Sequence, residues 1–309
     1  MTVRDRGLGL PPIATPDEIG AAAQLACLLE AHAPKPGNVS PGQDFADVGY
    51  GDFVASAAAI GAPFARVAVT PLGALVRTAV EATSCWAPSN TNLGMLLLLA
   101  PLAKAALGTV PDSGSSDPGD IRSNLAGVLD ATTVDDAREV YAAIRRANPG
   151  GLGRAANQDV AREPTLPLRE VMRLAADRDG IAHEYDTVFA ATFDTGVPAL
   201  RQARADGLGW DDAVVETFLT LLARAPDTHI ARRAGLERAT SVSRLAVTVL
   251  ADGGVRSDAG RQSVARFDRS LRDERHSANP GTTADLTAAA IFVLLLEGGW
   301  TAGPKASRL

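Results

Sequence analysis

An all-α fold is what this sequence predicts, on three observations. Apolar residues recur at helical spacing from one end of the chain to the other, alternation with period two is almost absent, and Ala and Leu dominate a composition that is 46% hydrophobic but only 5% aromatic. With no internal repeat and no convincing linker, the 309 residues read as one multi-helix domain, 1–309.

The elements follow in order. Thr15-Pro16-Asp17-Glu18 has the form of a capping box, with Thr15 as N-cap, Pro at the first helical position and Glu18 reaching back. The helix it opens runs to about residue 31, with Ile19, Ala22, Ala23, Ala26 and Leu29 on one face. A short helix is expected over 52–60, and Thr70-Pro71 opens another to about 83. Residues 91–107 are apolar nearly all round, which predicts a central buried helix. The Pro-, Gly-, Ser- and Asp-rich stretch 109–120 reads as a mobile loop. Helices resume over 121–130 and 134–147, the second capped by Thr133 and stopped by Asn148-Pro149-Gly150-Gly151. Further helices are expected at about 167–178, 180–193, 197–205, 211–225, 236–251, 258–275 and 283–297, and Val67-Ala68-Val69 alone reads as strand.

Bulk properties narrow the function. A net charge of −6 and a pI near 5.3 argue against nucleic acid or an anionic membrane as partner. Two cysteines, Cys27 and Cys85, make neither a disulfide framework nor a zinc site. The longest apolar run, 95–107, contains Pro101 and Lys104 and falls short of the ~20 residues of a membrane span. No basic-then-apolar secretory pattern is visible, so a cytoplasmic protein is expected. P-loop, Rossmann and nucleophile-elbow motifs are all missing.

Five segments interrupt the helical pattern with groups suited to chemistry. In Pro34-Lys35-Pro36-Gly37-Asn38-Val39-Ser40, followed by Asp44 and Asp47, two prolines stiffen a loop that carries a cation and carboxylates. Such a loop suits a phosphate and a metal ion, although a rigid connector with solvated charges has the same composition. Ser89-Asn90-Thr91-Asn92-Leu93-Gly94 opens the most apolar helix, where free N–H groups favour anions, and where plain caps are commoner. Asn148-Pro149-Gly150-Gly151-Leu152-Gly153-Arg154 is a Gly-rich loop ending in a cation. Asp227-Thr228-His229 with Arg232, Arg233 and Gly235 brings carboxylate, hydroxyl, imidazole and guanidinium together. Asn279-Pro280-Gly281-Thr282-Thr283-Ala284-Asp285 again opens a helix, with Thr282 a natural N-cap.

In this order the segments resemble the triphosphoribosyl-dephospho-CoA synthase family. The resemblance rests on Pro34-Lys35-Pro36-Gly37, on Asn90-Thr91-Asn92-Leu93-Gly94 in place of Asn-Thr-His-Lys-Gly, on Asp227-Thr228 with Arg233 and Gly235, and on Pro280-Gly281-Thr282-Thr283-Ala284-Asp285. It implies glycosyl transfer: the 2′-hydroxyl of dephospho-CoA displaces adenine from C1 of the ribose of ATP. It further implies Asp44, Asp227 and Asp285 as catalytic carboxylates, and Asp44, Asp47 and Asp227 as ligands of Mg²⁺. Lys35, Gly37, Asn38, Ser40, Asn90, Thr91, Asn92, Arg154, Thr228, His229, Arg233 and Gly281 would bind ATP and a nucleotide-like acceptor. Lys35, Asn38, Asp44, Asp47, Asn90, Asp227, Arg233 and Asp285 are expected to meet in one cleft, and a homodimer is left open.

The chain departs from the family where His-Lys becomes Asn92-Leu93 and where His229 replaces Asn. The loss of a cation implies a different acceptor, unless His229 and Arg154 restore the missing groups. Two other functions remain as alternatives. One is an ATP- or phosphoribosyl-using transferase of a one-carbon or pterin-type cofactor pathway. The other is a helical nucleotide-binding protein without turnover.

Overall fold

The computed structural model describes residues 13, 15–87, 89–108 and 120–300. The helices are α1 (Pro16–His32), α2 (Tyr50–Ala59), α3 (Gly61–Phe64), α4 (Leu72–Ser84), α5 (Leu93–Leu107), α6 (Ile121–Asp130), α7 (Val134–Ala147) and α8 (Leu168–Arg173). They continue with α9 (Gly180–Thr187), a π-helical turn (Thr192–Gly196), α10 (Val197–Ala205), α11 (Trp210–Arg224), α12 (Thr228–Ala234), α13 (Leu236–Ala251), α14 (Asp258–Leu271) and α15 (Gly281–Leu296). Among the described residues the only β pairing is an isolated bridge, Ser40 to Gln43, so the all-α class holds.

Two helices carry the core. α5 and α15 are apolar over most of their circumference, and each is therefore largely enclosed. α15 packs on α1, α5, α9, α10, α11, α12 and the π turn; α5 packs on α1, α4, α6, α7, α9 and α15. Residues from every α-helix join one apolar cluster around this pair. Each fully buried Leu, Ile or Phe in it contributes roughly 1.5–3 kcal/mol. α5 is thus central as expected, but it shares that place with α15.

The capping boxes at Thr15 and Thr133 form. Elsewhere tertiary structure overrides local pattern. Val67-Ala68-Val69 is a turn after α3, held by Val67 N–H to the Phe64 carbonyl and Val69 N–H to that of Arg66. The helix expected over 180–193 ends at Thr187, because Val188 and Phe189 adopt left-handed conformations (φ 53° and 58°). The fully buried Glu184 carboxylate stabilises this break by accepting from Ala191 N–H, Thr192 N–H and the Thr192 hydroxyl. The helix expected over 167–178 ends at Arg173 and that over 258–275 at Leu271, while α12 is a helix that the sequence pattern did not disclose. Residues 109–119 of the expected loop lie outside the described residues; Asp120 caps α6 through Arg122 N–H.

Candidate functional site

One cleft, of about 1430 Å³, receives all five polar segments. Its lining includes Glu30 near the end of α1, Gly94 at the start of α5 and Asp285, the fifth residue of α15. One side is formed by Asn38, Val39, Phe45 and Asp47, with the His276 ring stacked on Phe45 at 3.8 Å between centroids. The lining also carries Arg145 and Arg146 from the end of α7, Arg154 from the Gly-rich loop, and Arg178. α12 contributes His229, Arg232 and Arg233. A smaller annex of about 270 Å³ opens between α4 and Ser89, Asn90, Thr91 and Asn92, with Arg146 at its edge.

The arginine side is built by the Gly-rich loop. Asn148 ends α7 in the left-handed conformation, and Asp159 then ties the loop by accepting from Ala155 N–H (2.6 Å) and Ala161 N–H (2.9 Å). Arg145 donates to the Val160 carbonyl (2.8 Å) and Arg233 to that of Arg275 (2.6 Å). Arg232 is ion-paired with Asp179, the N-cap of α9. Among the described residues Arg146 and Arg154 make no hydrogen bond or ion pair, so their guanidinium donors remain available to a ligand.

The carboxyl groups behave differently from one another. Asp285 makes no hydrogen bond among the described residues. Burial, reinforced by the carboxylates of Glu30 and Asp227, pushes its carboxyl well above the usual range. It fits only because residue 94 is glycine: a Cβ there would collide with the Asp285 carboxylate. Glu30 is 2% exposed and its proton affinity is raised by burial, opposed by Lys35 at 2.9 Å. His229 packs against Gly281, where again a Cβ would collide. Burial and the charges of Arg232 and Arg233 push His229 down to about 4, so its imidazole is neutral at pH 7.

Of the residues expected at the site, Asn38, Asp47, Asn90, Thr91, Asn92, Arg154, His229, Arg233, Gly281 and Asp285 line the cleft. Others do not reach it. Lys35 is buried and turned inward, donating to Glu30 and to the Ala33 carbonyl (3.2 Å), since an ammonium enclosed by protein must pair. Asp44 is exposed and accepts from Tyr50 N–H at the start of α2. Asp227 is the N-cap of α12: it accepts from Ile230 N–H (3.0 Å) and from the N–H and hydroxyl of Thr283 (both 2.7 Å), joining α12 to α15. Thr228 bonds to Thr282, which lies inside α15 and is not its N-cap. Gly37 (φ 76°) donates to Asp268, and Ser40 pairs with Gln43. The expected metal set, Asp44, Asp47 and Asp227, is therefore not assembled, and no three His, Cys, Asp or Glu among the described residues are grouped to hold an ion.

Glu30, Arg145, Arg146, Arg178, Asp179 and His276 escaped the sequence reading, and Arg232 was noted only as part of its segment. Glu30 had a signal: it falls on the stripe Ile19, Ala22, Ala23, Ala26, where a carboxylate has no ordinary place. The arginines had none, because they gather only once α7, α9 and α12 are packed.

An all-α protein with a guanidinium-rimmed cleft over buried carboxyl groups is the class that fold and site define. The family model described as ATP:dephospho-CoA triphosphoribosyl transferase (CitG) matches residues 16–303, and the chain belongs to that family. A protein of Pseudomonas savastanoi pv. phaseolicola, named a "probable 2-(5''-triphosphoribosyl)-3'-dephosphocoenzyme-A synthase", is 37% identical over 109 residues, covering 35% of this chain and 37% of its own. One of the same name from Pseudomonas syringae pv. syringae is 30% identical over 171 residues, covering 55% and 57%. These alignments span little more than a third to just over half of the relatives' length. A crystal structure of a candidate triphosphoribosyl-dephospho-CoA synthase from Archaeoglobus fulgidus superposes with a TM-score of 0.60 at 29% identity, covering 79% of this chain and 99% of that one. No described helix is long and apolar enough to cross a membrane.

Proposed function

We propose that this protein transfers the triphosphoribosyl group of ATP to the 2′-hydroxyl of dephospho-CoA and releases adenine. The observation that carries the reading is the cleft itself: six arginines share its lining with Asp285 and a neutral His229. Its volume exceeds the roughly 300–1,000 Å³ of an ordinary small-ligand pocket, as two nucleotide substrates require. His276 Nδ1 and Asn279 Oδ1 are buried on its wall without partners, and a purine edge offers complementary groups.

The chemistry breaks the bond from C1′ to adenine and makes one from C1′ to the acceptor oxygen. Positive charge builds on the sugar between the two, as in glycoside hydrolysis. The leaving purine needs a proton and the attacking hydroxyl must lose one. Asp285, whose proton affinity burial raises, and the neutral His229 both line the cleft, and we assign these transfers to them. Arg146 and Arg154 hold phosphates through charge-assisted hydrogen bonds, replacing the cation absent at Leu93. This favours dephospho-CoA over a changed acceptor. Asp47, a carboxylate of the cleft lining, would be available to hold a Mg²⁺ ion bound with the triphosphate, and the ion would supply neutralisation of the phosphate charge.

Incubation with Mg-ATP and dephospho-CoA tests the reading. Adenine and a triphosphoribosylated acceptor are expected in equal amounts. Release of ADP or phosphate without adenine points instead to another ATP-using transferase.

A further inference from the structure

We propose that His276 and Asn279, the two ends of one turn, form a base-reading element that selects a 6-aminopurine: His276 Nδ1–H donates to a ring nitrogen of the base, and Asn279 Oδ1 accepts from its amino group. This deepens the triphosphoribosyl-transfer reading and rests on it for the two adenine-bearing ligands, ATP and dephospho-CoA.

The turn lies between α14 and α15. Asn279 N–H donates to the His276 carbonyl (3.3 Å), which makes them the first and fourth residues of a β-turn, with Cα atoms within about 7 Å. His276 adopts a left-handed conformation (φ 49°), uncommon outside glycine. Its neighbours enforce it. Its own N–H donates to the Asp273 carbonyl (3.1 Å), and the Asp273 carboxylate accepts from Arg275 N–H and Ser277 N–H (both 2.9 Å). Arg233 of α12 ties the same stretch through the Arg275 carbonyl (2.6 Å). Backbone strain held in place by its surroundings gathers at ligand sites.

The chemistry of the ring is set by the loop opposite. Its face stacks on Phe45, with 3.8 Å between centroids and 14° between planes. Its Nε2 accepts from Ala46 N–H (3.4 Å). A ring nitrogen that accepts carries no proton, so the imidazole proton is on Nδ1. That donor is buried without a partner, and so is the Asn279 Oδ1 acceptor. Both residues line the cleft. A dry donor beside a dry acceptor calls for a ligand edge that offers an acceptor beside a donor. Adenine offers that edge twice, as N1 or as N7 beside the 6-amino group. A 6-oxopurine sets an acceptor against Asn279 Oδ1, and a purine without a 6-substituent leaves it unpaired.

The element adjoins the groups assigned to proton transfer. Gly281 N–H donates to the Asn279 carbonyl (2.9 Å), and Gly281 is so close to His229 that a Cβ added there would lie 2.3 Å from His229 Nδ1. A base held by the turn therefore lies beside His229.

Calorimetry on the substrate-free protein tests this without turnover. The wild type is titrated with Mg-ATP and its 6-deamino analogue, purine riboside triphosphate, and then with dephospho-CoA and its 6-deamino counterpart. At least one pair is expected to show a preference of about tenfold or more for the 6-amino ligand, the cost of leaving a buried acceptor unpaired. The pair that shows it identifies which adenine sits on the turn. In Asn279→Leu, of similar size, the preference is expected to disappear, a change in ratio that a loosened fold does not produce. Imidazole ¹H–¹⁵N spectra are expected to show His276 as the Nδ1–H tautomer and to shift its Nδ1 signal when the preferred ligand is added. His276→Asn, which tolerates the left-handed backbone, assigns that signal. Equal binding within both pairs, a preference that survives Asn279→Leu, or an Nε2–H tautomer overturns the proposal. The wild-type titrations need no variant, so they stay decisive if a substitution prevents folding. Selective binding without adenine release leaves the base-reading element standing while the functional reading fails.

Discussion

Asp285 and Lys35 show how far residue identity goes. Both belong to motifs visible in the sequence, but their roles depend on which way they face. Lys35 reads as a phosphate ligand in a stiff loop, yet it is enclosed against Glu30. Lys35→Ala is therefore expected to cost about 3 kcal/mol of stability in urea titration, by leaving a buried carboxylate uncompensated. A stable variant with only ATP binding impaired contradicts that. For Asp285 the sign of the pH effect follows from its raised proton affinity. Folding favours the protonated form, so its contribution is present at low pH and lost as pH rises through the folded-state value. Asp285→Asn never ionises, so its melting temperature relative to wild type should climb from pH 5 to pH 8 while adenine release is abolished. A constant difference across that range speaks against a protonated Asp285.

At the scale of elements, helix starts were legible where a side chain caps its own helix, as at Thr15 and Thr133. They were not legible where the partner is remote. Asp227 caps α12 and at the same time accepts from Thr283 of α15, a bond across 56 residues. It reads as a catalytic carboxylate in sequence and is a joint between helices in the fold. Asp227→Ala is expected to destabilise by about 2 kcal/mol, from a lost cap and stranded Thr283 donors, with the loss visible in thermal melts of the substrate-free protein. The Gly-rich loop makes the opposite case. Its backbone is tied by Asp159 and Arg145, leaving Arg154 exposed in the cleft lining, which Arg146 shares. Arg146→Ala/Arg154→Ala should leave the melting temperature within a degree or two. It should weaken ATP binding by about tenfold or more, most at low salt. Equal ATP affinity by calorimetry removes the phosphate role from this loop.

Across the whole molecule, the fold class was legible because α5 and α15 must be enclosed and everything else packs around them. Leu98→Ala, at a fully buried position of α5, is accordingly expected to cost 2–5 kcal/mol. The convergence of the polar segments was only partly legible. Short motifs mark which loops matter, but long-range packing decides that Asn38, Arg233 and Asp285 face the cleft while Asp44 and Asp227 do not. The most direct measurement is the stoichiometry of products when the intact protein meets Mg-ATP and dephospho-CoA. One adenine released per triphosphoribosylated acceptor formed, with both lost in Asp285→Asn, is the predicted result. ATP bound in the arginine-lined cleft with no adenine released, at any pH from 5 to 9, is the result that contradicts it.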